Sequence, residues 1–227
     1  YKRQARQLRP IRLKWSCRSL LYSIRNIGYQ CTIGMSALMG ECTMAVLALI
    51  GNYVFGAYLG DAGIGAFGIA CYYTPFVYMI GNAVAQSAQP IISYNYGSGD
   101  SCRVRATLRV ALLAAVVCGG SVSTAFVFFP YQLVELFINT NEAAFPLAVK
   151  GFPLMATAFV FFIVNLTLIG YYQSVERVRP AMVFALLRGI FFLVPCFLVL
   201  PLWFDETGIW IALGMSEMLT MLCIIWY

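Results

Sequence analysis

Three ionisable residues, Glu41, Arg188 and Glu217, lie inside long apolar runs of the sequence. If those runs span a membrane, each charge costs about 3 kcal/mol or more at the bilayer centre, so each needs a partner or a function. A carboxylate without a partner takes up a proton or binds a cation, whereas a carboxylate beside an arginine forms an ion pair. The chemistry of these residues therefore depends on what the helices bring next to them.

Arg188 and Glu217 are positioned to pair with each other. They belong to consecutive apolar runs, and a rise of ~1.5 Å per residue places both at roughly 12–15 Å from the same membrane boundary. Consecutive antiparallel helices usually touch. We therefore expect Arg188 and Glu217 to form a structural ion pair.

Glu41 has no such partner, since the one basic residue of uncertain depth, Lys150, belongs to the opposite membrane boundary. It belongs to a stripe of small and polar residues at helical spacing, which predicts that this face points inward. The stripe consists of Gly34, Ala37, Glu41, Ala45, Ala48 and Asn52. We predict that Glu41 couples an ion, Na⁺ or H⁺, to the function of the protein. The structural alternative is a protonated Glu41 that hydrogen bonds to a neighbouring helix.

A second polar stripe follows in the next apolar run, and a single amide, Asn165, lies further along the chain. The stripe comprises Tyr78, Asn82, Gln86, Gln89 and Ser93. Amides inside a membrane can simply join helices, but three on one face favour a hydrated cavity. We predict a substrate cavity lined by Asn52, Tyr78, Asn82, Gln86, Gln89 and Asn165.

Six apolar stretches are long enough to cross a ~30 Å hydrocarbon core, which predicts an all-α bundle of six transmembrane helices. They cover residues 31–57, 63–94, 108–129, 151–172, 181–200 and 208–227. Residues 1–24 are predicted to form a basic cytoplasmic linker with an amphipathic helix, and residues 25–227 are predicted to form the membrane lobe. Six crossings place all of the 15 Lys and Arg residues except Lys150 on one side, which is then cytoplasmic.

The composition excludes several classes of protein. Hydrophobic residues make up 61% of the chain and charged residues 11%, and there is no His. The net charge of +6 reflects membrane orientation, so we expect no nucleic-acid partner. The 8 Cys residues show no CxxC spacing, and we expect no metal site, cofactor or enzymatic constellation. Because the chain starts at Tyr1 and stops in an apolar run, we expect a segment of a longer protein.

Several short segments, in this order, resemble the multidrug and toxic compound extrusion (MATE) family of transporters. The most specific is the run from Gln89 to Gly97, followed by Arg103 and Arg105. The weaker ones are residues 171–174 (YYQS), residues 179–181 (RPA), and residues 208–212 (GIWIA) followed by Glu217. Together they cover about residues 25–227 and are most similar to the carboxy-terminal half of the family.

The resemblance implies one six-helix lobe of a twelve-helix, two-lobed transporter, whose amino-terminal lobe would be its partner. It also implies export of small cationic or amphipathic organic compounds in exchange for Na⁺ or H⁺ across a bacterial inner membrane. Glu41 matches a functional Glu that many members carry. The Asp that usually completes the cation site is missing here, and Asn165 is the nearest polar residue.

Four alternatives to drug efflux stay open at this point. A flippase for lipid-linked oligosaccharides shares the fold, but such proteins tend to line their cavity with Arg. A channel would show a filter motif or rings of charge, and a non-transport scaffold would need neither. A membrane enzyme would need a nucleophile and a base at the interface, which a chain without His hardly offers.

Overall fold

The structure is a computed structural model that describes the backbone of residues 17–227, with side chains from Leu38 onward and a few before it. The described residues are helical almost throughout, as expected for an all-α membrane protein. The elements are α1 (Cys17–Gly97), α2 (Ser101–Phe128), α3 (Pro130–Glu135), α4 (Ala144–Ser174), α5 (Val178–Leu186), a π-helical segment (Leu187–Phe191) and α6 (Leu193–Trp226).

Helix α1 is interrupted at Gly60, whose backbone takes φ 61° and ψ −154°. These angles are accessible mainly to glycine, because other residues would bring a Cβ into contact with the backbone. Residues on either side of the interruption contact each other: the rings of Phe55 and Phe67 stack at 4.7 Å, and Tyr78 hydrogen bonds to Glu41. The two arms of α1, before and after Gly60, therefore run antiparallel.

Helix α6 is interrupted in the same way at Asp205, with φ 46° and ψ −131°. Contacts again join residues on both sides of the interruption. The ring of Phe184 in α5 lies 5.6 Å from that of Tyr227, and Arg188 in the π segment contacts Glu217. The arm of α6 after Asp205 therefore folds back along α5, the π segment and the first arm of α6.

Four described segments are long and apolar enough to cross a membrane: Leu38–Gly97, Ser101–Phe128, Ala144–Ser174 and Val178–Trp226. The sequence predicted six spans separated by loops near residues 60–63 and 201–207. In the structure, these two loops are sharp interruptions within a continuous helical segment. Large apolar side chains such as Leu49, Leu113 and Leu202 are exposed on the outside of the bundle. Such an apolar exterior is expected of a protein surrounded by lipid.

Helix α4 lies at the centre of the bundle and is the most buried of these four segments. It contacts the second arm of α1, α2 and α6 through small residues that allow close approach of the backbones. A Cβ at Gly119 of α2 would lie 2.8 Å from the Cα of Val160 in α4. Asn165 of α4 and the second arm of α6 meet through two hydrogen bonds. Helix α4 can thus connect the polar residues of different helices.

Most of the predicted basic linker, residues 1–16, lies outside the residues that the structure describes. Residues 17–24 form the start of α1. Further along, Asp100 caps α2 by accepting a hydrogen bond from the backbone N–H of Arg103 at 3.0 Å, and Gly99 supplies the positive φ of the preceding turn. This short turn keeps the end of α1 next to the start of α2.

Candidate functional site

A cavity of about 380 Å³ lies between the two arms of α1, helix α4 and the α5–π region. Its polar lining comes from both arms of α1, from α4 and from the π segment. These residues are Glu41, Tyr78, Asn82, Gln86, Gln89, Gln173 and Arg188. Small and aliphatic residues complete the wall. The cavity therefore combines a carboxylate, a phenol, four amides and a guanidinium in a surrounding apolar bundle.

Glu41 is exposed to this cavity and is held by a hydrogen bond across the α1 interruption. The hydroxyl of Tyr78 donates to Oε1 of Glu41 at 3.0 Å. A Cβ at Gly40 would lie 3.4 Å from the same hydroxyl, so the small neighbour leaves room for Tyr78. Within the described part of the chain, Glu41 forms no salt bridge. Its carboxylate is thus oriented but not neutralised.

The amides of the cavity connect the second arm of α1 to α4. The Nε2 atom of Gln89 donates to Oε1 of Gln173 at 3.2 Å. Nearby, Ser93 donates to the backbone carbonyl of Ser174 at 3.1 Å. Asn82 and Gln86 line the cavity between this contact and Glu41. Oxygen atoms of amides, phenol and carboxylate together form the kind of surface that binds a hydrated cation or an organic ammonium group.

Arg188 and Glu217 form a buried ion pair next to the cavity. The Nε atom of Arg188 lies 2.6 Å from Oε1 of Glu217, and each side chain is only 1% exposed. Asn165 completes the arrangement, because its Nδ2 donates to Oε2 of Glu217 at 2.8 Å and to the Glu217 backbone carbonyl at 2.9 Å. Both carboxylate oxygens of Glu217 are therefore satisfied, which is the condition for keeping a charge inside a membrane.

The guanidinium of Arg188 also stacks on an aromatic ring. Its Cζ atom lies 4.0 Å from the ring centroid of Phe162 in α4. Tyr78 packs on the same ring, with centroids 6.3 Å apart. Phe162 therefore connects the Arg188 pair to the Tyr78–Glu41 contact. The stacking adds a cation–π attraction to the charge of the ion pair.

Comparison with known proteins assigns the family. The MatE family model matches residues 37–198, well over half of the chain. This chain belongs to the MatE family. The resemblance that the sequence motifs predicted is confirmed, and the family consists of transporters rather than enzymes. The chain is accordingly a multi-pass integral membrane protein.

Individual relatives agree with this assignment. The probable multidrug resistance protein NorM of Rhizobium meliloti (strain 1021) is 29% identical over 168 residues, which cover 70% of this MatE chain and 36% of that protein. A mutant of the Vibrio cholerae MATE transporter VcmN has a similar fold, with a TM-score of 0.83 and 13% identity, covering 95% of this chain and 48% of that one.

A third relative, the MATE multidrug transporter DinF-BH, has a TM-score of 0.73 and 24% identity, covering 94% of this chain and 47% of that one. At these identities the solved structures establish the fold alone. This MatE chain spans about half the length of the solved relatives and about a third of the curated one.

The structure brings four of the six predicted cavity residues of the MatE chain together, namely Tyr78, Asn82, Gln86 and Gln89. The other two lie elsewhere. Asn52 is exposed further along the first arm of α1 and does not line the cavity. Its Nδ2 donates to the carbonyl of Ala48 at 2.9 Å. Asn165 is fully buried and contacts Glu217 instead of the cavity.

Sequence reasoning missed two residues of the site. Gln173 belongs to the YYQS segment that supported the resemblance, but it lies near the end of α4, one residue beyond the predicted span of residues 151–172. Phe162 was one aromatic among many in an apolar run. A recurrence of polar residues at the ends of neighbouring spans could have indicated Gln173, whereas only packing reveals the role of Phe162.

Proposed function

We propose that this chain is the carboxy-terminal lobe of a two-lobed secondary active antiporter that exports small cationic or amphipathic organic compounds in exchange for Na⁺ or H⁺. The observation that carries the proposal is Glu41, a carboxylate exposed to a polar cavity without a salt bridge among the described residues. Membership of the MatE family adds the expectation of ion-coupled transport to this geometry.

Six membrane crossings are part of this proposal. A straight helix of 60 residues would measure about 90 Å, three times the ~30 Å hydrocarbon core. The interruption at Gly60 and the Phe55–Phe67 contact support two antiparallel crossings in place of one. The interruption at Asp205 supports the same for Val178–Trp226. Single-cysteine labelling in a cysteine-free background would test the topology, with positions 61 and 205 expected outside and 103 and 177 inside.

A second lobe is the proposed partner of this chain, in addition to the lipid bilayer. The first arm of α1 exposes the small and polar residues Glu41, Ala45 and Asn52, of which Glu41 lines the cavity. A polar face of this kind is costly against lipid and is better covered by another lobe with a shared aqueous cavity. The coverage of about half of the solved relatives supports the same arrangement. A bacterial inner membrane is the proposed location.

The role proposed for Glu41 is to bind the coupling cation and the substrate in turn. Tyr78 orients the carboxylate, and Asn82 and Gln86 line the same cavity and would supply amide oxygens to a cation shell. A Na⁺ ion would use these oxygens, whereas a proton needs only the carboxylate and the Tyr78 hydroxyl. Exclusive occupancy of one carboxylate by ion or substrate is sufficient to couple their opposite movements.

The direct test uses the complete coding sequence from which this chain comes, reconstituted into vesicles. Efflux of ethidium is measured under an imposed Na⁺ gradient and, separately, under an H⁺ gradient. We expect one gradient to drive efflux and Glu41→Gln to abolish it at unchanged expression. Glu142→Gln, which removes an exposed loop carboxylate outside the cavity, is the matched control and should transport normally.

Two results would contradict the proposal in different ways. Gradient-driven efflux that survives Glu41→Gln would remove Glu41 from the coupling mechanism. No ethidium movement by the unmodified protein under either gradient would overturn multidrug efflux, and movement of a labelled lipid-linked oligosaccharide would then be measured to test the flippase alternative.

A further inference from the structure

The π segment of the chain packs directly on the helix arm that carries Glu41. A Cβ at Gly189 would collide with the side chain of Thr43, so glycine is required for this approach. Thr43 lies two residues after Glu41, and Gly189 is next to Arg188. Both charged side chains also line the same cavity. The two helical segments that carry Glu41 and Arg188 are therefore in contact.

The present hydrogen bonds use only part of the donor capacity of Arg188. A guanidinium carries five N–H donors. Its Nε is paired with Glu217, but its Nη2 is buried and has no hydrogen-bond partner within the described residues. A buried donor without a partner costs about 1–3 kcal/mol, so a position in which Nη2 finds an acceptor recovers part of the free energy lost on leaving Glu217.

The backbone around Arg188 is also unusual. Residues Leu187–Phe191 form a π-helix, which accommodates one more residue than an α-helix of the same length. Single π-helical turns occur often at functional sites, and their extra residue can be absorbed without unfolding the helix. A return to α-helical geometry would turn Arg188 relative to the rest of α5. This provides a local way to move its side chain while Glu217 stays in place.

Two carboxylates thus surround one guanidinium: Glu217 is in contact with Arg188, and Glu41 lines the same cavity as Arg188. Glu217 is 1% exposed and has Asn165 as a second donor, whereas Glu41 faces the cavity and has the hydroxyl of Tyr78. We propose that Arg188 is shared between Glu217 and Glu41, so that it acts as an internal competitor of the coupling cation and thereby sets the cation affinity of Glu41. The inference deepens the proposed function and rests on it.

Competition by a built-in cation has a clear physical consequence. An empty Glu41 attracts Arg188 away from Glu217, its partner in the structure. When Na⁺, a proton or an organic cation binds to Glu41, it opposes this movement and the guanidinium stays on Glu217. The apparent affinity of Glu41 for the cation is lowered by the free energy of this competition, which favours release of the cation. Arg188 is therefore a positioning residue that acts through Glu41.

The test compares two variants for which the inference predicts opposite effects. Glu217→Gln retains the shape of its side chain but removes the charge that holds Arg188, so Arg188 should move toward Glu41. The double variant Arg188→Met with Glu217→Gln removes the competitor and leaves no buried charge. Because neutral replacement of both partners is often tolerated by a fold, the double variant is expected to remain folded even if the single one does not.

The readout is the concentration of the coupling cation that displaces half of the bound ethidium from the purified complete protein. Ethidium binding is followed by fluorescence anisotropy without any gradient, at an ethidium concentration far below its Kd in every variant. Under this condition the half-displacing concentration reports the affinity for the coupling cation, although Arg188 competes with ethidium as well. NaCl replaces choline chloride at constant ionic strength, or the pH is lowered, depending on which ion drives efflux. The titratable groups that face Glu41 from the packed elements are Tyr78 on the second arm of α1 and Arg188 on the π segment, while α4 contributes amides.

We expect Glu217→Gln to raise the half-displacing concentration at least fivefold and the double variant to lower it at least fivefold below that of the unmodified protein. Arg188→Lys, which retains a cation, should stay close to the unmodified protein. Equal values for all variants, or a shift of both in the same direction, would overturn the inference and leave a purely structural pair. If Glu217→Gln does not fold, an unchanged value in the double variant is sufficient to overturn it.

Failure of this inference is distinguishable from failure of the proposed function. If Glu41→Gln abolishes efflux while the pair variants leave the displacement unchanged, only the competition by Arg188 is rejected. If Glu41→Gln transports normally, the coupling role of Glu41 is rejected, and with it the proposed function on which the inference rests. In a Glu41→Gln background, the difference between the pair variants should disappear, because the carboxylate for which they compete is gone.

Discussion

Glu41 and Glu217 are the same residue type in comparable apolar surroundings, yet the fold gives them opposite environments. Glu217 is 1% exposed, and its two oxygens are bound by Arg188 and Asn165. Glu41 faces a cavity of about 380 Å³, and the one hydrogen bond to its carboxylate from the described residues comes from the neutral Tyr78 hydroxyl. A carboxylate with a complete set of donors is part of the framework, whereas one with an incomplete set can still bind something else.

The largest effect on stability is expected when Arg188, the partner of Glu217, is removed. The variant Arg188→Leu leaves Glu217 buried without a counter-charge, and we expect a loss of about 3–5 kcal/mol in the free energy of unfolding. A large fall in the thermal unfolding midpoint of the detergent-solubilised protein would measure it. Arg179→Leu removes an exposed arginine and should change the midpoint little. An Arg188→Leu midpoint equal to that of this control would show that Glu217 does not need its partner.

The packing between the two carboxylate regions gives the next largest effect. The variant Gly189→Ala places a Cβ against the side chain of Thr43, and overpacking of this kind typically costs about 1–3 kcal/mol. Thermal unfolding measures this loss, and a second change, Thr43→Ala, should recover part of it. Gly120→Ala is the matched control, since no atom lies within 4 Å of its Cβ position. Equal stability of the two alanine variants would contradict the close contact.

A smaller effect is expected from the hydroxyl that orients Glu41. The variant Tyr78→Phe removes one hydrogen bond between the arms of α1, and such bonds contribute about 0.6 kcal/mol in membrane proteins. The thermal midpoint should therefore fall only slightly, while the half-displacing concentration of the coupling cation changes. Tyr94→Phe, at an exposed tyrosine, should change neither. An unaltered cation response in Tyr78→Phe would remove this residue from the site.

The smallest effect on stability is expected at Glu41 itself. In Glu41→Gln the side-chain oxygen can still accept from Tyr78, and the residue is exposed, so the free energy of unfolding should change by no more than about 0.5 kcal/mol. Coupled efflux should nevertheless be lost. A strong fall in the thermal midpoint would show that Glu41, like Glu217, stabilises the fold. It would contradict the difference proposed between the two carboxylates.

Much of the fold could be predicted from sequence because hydropathy and charge carry the information. Runs of apolar residues and the basic segments around Arg103 and Arg177 indicated an all-α membrane bundle, and the segment from Gln89 to Gly97 indicated the family. The chain reversals at residues 60 and 205 were harder to predict. The sequence predicts loops at both places, but the structure forms each reversal within one or two residues, since a single positive φ is sufficient to turn the chain.

The candidate site was predicted less completely than the fold. Helical spacing placed Tyr78, Asn82, Gln86 and Gln89 on one face, and the structure keeps them together. Spacing within one helix contains no information about which other helix that face meets. For this reason Asn165 was predicted in the cavity and Gln173 was not. Both residues belong to α4, but Gln173 lies on the face that lines the cavity, whereas Asn165 faces Glu217.

Hydropathy, charge asymmetry and short motifs are local properties of the chain, so they were enough to predict a membrane-embedded MatE protein with three costly charges. The partners of those charges are visible only in the folded protein, where Arg188 and Asn165 satisfy Glu217 and Tyr78 orients Glu41 toward a cavity. A charge in a membrane takes its properties from the donors around it. Those donors come from helices far apart in sequence, which packing alone brings together.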